Sequence, residues 1–216
     1  MRGCAQVTGE LDGEAATRRV VRQLCAPAND GWRRAAARAF VAAGGPAPGP
    51  TPADAAFTLW AACDFAPKGQ PFARIVAAEL AGRVPPAEQA ALAALAVSPP
   101  RLLWARAVAG RRVLVDGLSG RIWPSALAAL VPTGGAALTR LLWRPGLPKQ
   151  LGPFHVLSPG APAAAAGRVL ASVPRPPGAG EVATWRRLAP ALFAVHKAHA
   201  PLVFGRQALR PWAVAA

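Results

Sequence analysis

The order of sequence patterns predicts an α+β fold: an N-terminal helical region, a small central antiparallel β meander or partial barrel, and a C-terminal helix. Three observations carry this expectation. Apolar residues recur at helical spacing up to residue 98. The period then shortens to strand-like runs separated by glycine turns between 99 and 160. A helical pattern returns from Glu181 to His199. The corresponding segments are 1–50 (two helices after a flexible start), 51–98 (helical), 99–160 (β module) and 161–216 (an Ala/Pro-rich connection and the last helix). From about residue 15 onward they are expected to form one compact unit.

Taken in order, residues 1–14 read as a frayed start, and Val20, Val21, Leu24 and Cys25 share a helical face from Ala15 onward. Ala26–Gly31 breaks that helix. Trp32, Ala36 and Phe40 then recur at i, i+4, i+8 until Gly44-Gly45-Pro46. Thr51-Pro52-Ala53-Asp54 has the chemistry of a helix start: a capping hydroxyl, proline in the first turn and an acid after it. Phe57 and Trp60 follow at core spacing. A further helix carries Phe72, Ile75, Val76 and Leu80, with Gly82 as its C-cap, and Pro85-Pro86 opens another through Leu92 and Leu95. Strands are expected at Leu102–Val108, Arg112–Val115 (paired across Gly110), Arg121–Trp123, Leu138–Trp143 and Phe154–Leu157. A short helix is expected around Ala163–Ala171. In the last helix Trp185, Leu188, Leu192 and Val195 face inward, and Pro190 should kink or divide it.

The composition excludes several classes. With 53% hydrophobic residues the chain is not a disordered tail. No apolar run approaches the ~20 residues of a spanning helix, and no apolar segment of a signal peptide follows Met1. Three cysteines (Cys4, Cys25, Cys63) without a Cys-x-x-Cys pair favour reduced thiols and a cytoplasmic location. The formal net charge is +15, from 25 Lys+Arg against 10 Asp+Glu. The Ala/Gly/Pro/Arg bias is that of a GC-rich bacterial gene. Such a bias turns Lys into Arg but does not remove acids, so the charge implies attraction to a polyanion: nucleic acid, an anionic membrane surface or an acidic protein.

Phe57-x-x-Trp60, Asp64-Phe65-x-Pro67-x-Gly69 and the Ala/Leu helix opened by Pro85-Pro86-Ala87-Glu88 resemble the middle of a family of uncharacterised bacterial proteins. The β segment Val113-Leu114-Val115-Asp116-Gly117-Leu118-Ser119-Gly120 and Leu138-Thr139-Arg140-Leu141-Leu142 extend the resemblance over residues 50–160. Some members of that family carry a C-terminal SEC-C metal-binding motif, whose cysteines are absent here. The resemblance implies helices followed by a β module, and little chemistry.

No catalytic set, cofactor site or metal site is expected. His196 and His199 stand at i, i+3 but make only half a zinc site. His155 is the remaining histidine. Gly117-Leu118-Ser119-Gly120-Arg121 lacks the closing glycine and the following helix of a nucleophile elbow. Asp64, after a helix, is expected to cap or to bridge to an Arg, and Asp116 to accept backbone N–H groups in a turn. No phosphate-binding loop is present. The sharpest functional pattern is in the β region, where Arg106, Arg111, Arg112, Arg121, Arg140 and Arg144 accompany Trp104, Trp123 and Trp143 around a single acid, Asp116. Tryptophans on one strand face among arginines can stack bases; the ordinary alternative is a tryptophan core with a basic rim. Arg18, Arg19, Arg22, Arg33, Arg34 and Arg38 form a second basic patch. These readings favour a non-catalytic interaction or accessory protein. The rivals are a nucleic-acid binder and an enzyme whose residues converge only in the fold, for example a cleft holding His155 with Asp64 or Asp116.

Overall fold

Helix periodicity and turn chemistry translate closely into elements. The computed structural model describes residues 12–49, 55–67, 69–123, 126–142, 149–173 and 181–199. Its helices are α1 (Gly13–Cys25), α2 (Asp30–Ala42), α3 (Ala55–Cys63), α4 (Phe72–Glu79), α5 (Pro86–Val97), α6 (Ala161–Ala171) and α7 (Glu181–His199). Its strands are β1 (Pro100–Val108), β2 (Arg111–Asp116), β3 (Ile122–Trp123), β4 (Ala136–Leu142) and β5 (Lys149–Leu157). The expected α+β class is observed. α1 starts two residues earlier than its periodicity suggests, because the Asp12 carboxylate accepts the Ala15 N–H at 2.9 Å. The expected cap at Thr51–Asp54 lies outside the described residues, as do residues 1–11.

All neighbouring strands are antiparallel, in the order β3-β2-β1-β4-β5, and the sheet curls into a half-barrel. Strand alternation gives it two dissimilar faces. One presents Leu102, Trp104, Ala136, Leu138 and Leu157 to the helices, within a core that also takes Val20, Leu24, Phe40, Phe57, Trp60, Leu92, Leu95, Trp185 and Leu192. The other carries Leu103, Ala105, Leu114, Trp123, Ala137 and Leu141, closed by a 3-10 turn at Ala126–Leu130 through Ala128 and then Val131.

Helix ends are tied down by side chains from elsewhere in the chain. The last-turn carbonyls of α3, α4 and α5 have no partner within their own helices. The Trp32 indole N–H donates to the Ala61 carbonyl at 3.0 Å, Gln89 Nε2 to Ala77 at 2.8 Å, and Arg186 Nη2 to Ala96 at 2.7 Å. Of the two outcomes expected at Pro190, a kink or a division, the division does not occur: α7 is a single helix with the proline inside it. Proline removes the N–H that would bond the Arg186 carbonyl four residues back. The Trp60 indole N–H takes its place, donating to that oxygen at 3.1 Å.

Candidate polyanion interface

The β1–β2 hairpin determines where the arginines of the β region stand. Its register pairs Arg106 with Val113, Ala107 with Arg112 and Val108 with Arg111, leaving Ala109-Gly110 as a two-residue turn. Both turn residues have positive φ, +48° and +73°, the pattern whose twist matches that of the flanking strands. Every residue from Arg106 to Arg112 is exposed, so neither face of this arm is covered. By alternation Arg106, Val108 and Arg111 share the helix-side face, and Ala107 and Arg112 the opposite one. Among the described residues Arg106 and Arg111 form no ion pair. Arg112 makes one long hydrogen bond, 3.4 Å to the Val131 carbonyl.

The local acid does not offset this charge at the surface. Asp116 is 1% exposed. One carboxylate oxygen receives Arg101 at 2.7 Å; the other accepts the Leu118 and Ser119 N–H groups at 3.0 and 2.9 Å. This is the turn role expected for it. Arg101 also bonds Glu181 at the start of α7. Arg121 stands opposite Asp116, at the end of β2 away from the arm's tip; it is exposed, with its guanidinium 5.0 Å from the Trp123 ring centroid.

The remaining candidates are placed differently from the expectation. Arg140 is no surface cation. It is 4% exposed and clamps Asp64, also donating to the Ser98 carbonyl. Asp64 thus bridges to arginine as expected, and Arg186 Nε approaches it at 3.6 Å. Burial pushes the Asp64 carboxyl up, against the pull of Arg140 and Arg186. Trp104 and Trp123 lie on opposite sheet faces. Trp123 is 1% exposed, under Arg101 and Arg121, while Trp104 is half-buried above Gly167 of α6. Alternation along antiparallel partners forces this split, so the two do not form a common stacking platform. Trp143 and Arg144 lie outside the described residues. The patch on α1 and α2 is thinned by internal pairing of Arg18 with Glu14, Arg19 with Glu88 and Arg33 with Asp30, which leaves Arg22, Arg34 and Arg38 exposed.

The catalytic alternative gains little from the geometry. A cavity of about 10 Å³, lined by Leu59, Pro100, Leu138, Arg140, His155 and Phe193 among others, has room for roughly one water. Asp64 does not line it; its carboxylate is fully buried and held by Arg140 and Arg186. His196 pairs with His155, ring centroids 4.6 Å apart, rather than with His199. Among the described residues no three His, Cys, Asp or Glu gather closely enough to hold a metal. Burial pushes the Cys63 thiol up to about 11, which keeps it protonated and poorly nucleophilic. Among the described residues no helix is long and apolar enough to cross a membrane.

Sequence reasoning marked the arginines of the arm but missed Val108 at its tip, 41% exposed. The signal was present: a turn of two small residues, Ala109-Gly110, brings no apolar bulk to cover the valine before it. Comparison with protein-family models, curated proteins and solved structures finds no match to this chain.

Proposed function

We propose that this is a non-catalytic binding protein that docks a polyanion against the β1–β2 arm, with Arg106, Arg111 and Arg112 as the contacting cations. The observation that carries this reading is the segregation of charge. The only acid among described residues 99–173 is Asp116, and it is consumed internally, whereas seven consecutive exposed residues of the arm carry three arginines. An exposed cation without a carboxylate neighbour keeps its full attraction for an anionic ligand, and exposed sites are screened by salt.

The test is fluorescence anisotropy of a labelled heparin oligosaccharide across a salt series. It would be run on the native protein and on a variant with Arg106→Ala, Arg111→Ala and Arg112→Ala. Native binding that weakens steeply with salt, and loss of most of that affinity in the variant at an unchanged melting temperature, is the expected result. Equal affinity of the two proteins would remove the arm from the interface. Absence of binding at low salt would end the reading.

A further inference from the structure

Resting on the proposed polyanion reading, we infer that the partner is double-stranded DNA and that the β1–β2 arm enters its major groove. The basic arm alone would suit several anionic ligands. Its shape and the distribution of its side chains narrow the choice.

The first consideration is size. Measured from the pair Arg106/Val113, whose valine is buried, the arm runs through Ala107/Arg112 and Val108/Arg111 to a two-residue turn. At about 3.4 Å per residue it reaches roughly 10 Å. The B-form major groove is about 8.5 Å deep and 12 Å wide and admits a two-stranded ribbon. The tip is built to pass between walls, since Ala107, Ala109 and Gly110 bring almost no bulk.

The second is the two-sidedness of the charge. Arg106 and Arg111 stand on one face and Arg112 on the other. A flat acidic protein surface can satisfy only one face of a ribbon. A groove flanked by two phosphate strands satisfies both at once. Val108, the exposed apolar side chain of the tip, is suited to the methyl group that thymine presents in that groove.

The third is what the arm lacks. Single-strand binders hold bases on exposed aromatic rings. Trp123 is enclosed and Trp104 lies half-buried against α6, and the arm itself has no aromatic residue. The major groove of A-form RNA is too deep and narrow for side chains to read, and its shallow minor groove offers no slot for an arm.

The experiment compares labelled 20-base-pair duplex DNA, the single strand of the same sequence and the matching RNA duplex, each in a salt series. It is paired with interference footprinting on duplex methylated at guanine N7, an atom of the major-groove edge. Tightest binding to duplex DNA is expected, with N7 methylation excluded from the bound fraction. The log–log salt slope should fall by about 3 in the Arg106/Arg111/Arg112 triple alanine variant, at about 0.9 per phosphate contact. Single-strand or RNA-duplex binding as tight as that to duplex DNA would overturn the inference. So would insensitivity to N7 methylation. In both cases heparin binding that depends on the arm leaves the polyanion reading standing. Failure to bind heparin and all three nucleic acids ends both. Equal thermal melting of the variant and native proteins guards against a folding artefact, and Arg112→Glu, a single exposed change, provides an independent check with an expected loss of at least tenfold.

Discussion

Ala109 holds φ at +48°, the only positive value among the described non-glycine residues. An L-residue with a Cβ pays about 1–2 kcal/mol for that conformation, and its position in the hairpin turn ordinarily selects Asn or Gly. Ala109→Asn should therefore raise the unfolding free energy by about 1 kcal/mol, read from urea melts. No change would mean that the turn relaxes in solution. His196 makes a second prediction at this scale. Burial lowers its pKa below the ordinary value, and the His155 ring lies 4.6 Å away. The folded chain then binds fewer protons than the unfolded chain once the pH drops below about 6.5. The stability contributed by the neutral imidazole is complete above that pH and is lost as the pH falls toward the lowered value. The urea midpoint should drop between about pH 7.5 and pH 5, and by less in His196→Gln. An equal drop in both proteins would assign the acid sensitivity to other groups.

Elements in this chain are completed by residues far away in sequence. α7 is the clearest case. Pro190 strips the Arg186 carbonyl of its helical donor, and Trp60 of α3 supplies one from 126 residues away. Trp60→Phe should cost about 1–3 kcal/mol beyond lost packing, because it leaves a buried acceptor unpaired. With Pro190→Ala the helix regains its own N–H, so Trp60→Phe should cost less in that background. A double-mutant cycle by thermal or urea unfolding measures the difference, and strict additivity would refute the link. The proline itself was visible in the sequence, and so was the rule that it breaks helices. The indole that mends the break was not, since nothing local connects residues 60 and 190. The strands show the same division. Their alternation, their turns and most of their limits were legible from Leu102 to Leu157, but β5 begins at Lys149, five residues before the expected Phe154. Which face each tryptophan took was not, because that depends on the register between β1, β2 and β3.

Across the whole molecule, ten acids face a far larger number of basic residues, and the fold uses most of the described acids internally. Asp64 joins the end of α3 to β4 through Arg140 and to α7 through Arg186. Glu88 ties α5 to α1 through Arg19, and Arg101 ties β1 to Asp116 of β2 and to Glu181 of α7. What remains outside is predominantly positive. Removing the carboxylate from the most buried of these pairs, Asp64→Ala, leaves an uncompensated guanidinium in the core and should destabilise the protein by about 3–5 kcal/mol. The double change Asp64→Ala with Arg140→Met should recover much of that loss in chemical unfolding. A double variant no more stable than the single one would show that the pair does more than neutralise itself.

The sequence by itself determined the α+β class, the order of elements, the helix faces, the turn role of Asp116 and the basic character of the molecule. These follow from local periodicity, local turn chemistry and composition, which need no knowledge of distant neighbours. Only the tertiary structure decided which cations are free. Arg140 and Arg106 are both strand arginines in the sequence. One meets Asp64 in the interior, and the other stands on an arm that nothing covers. The difference lies in long-range packing: the partner that neutralises a charge is brought to it by the fold, and its distance along the chain carries no sign of the encounter.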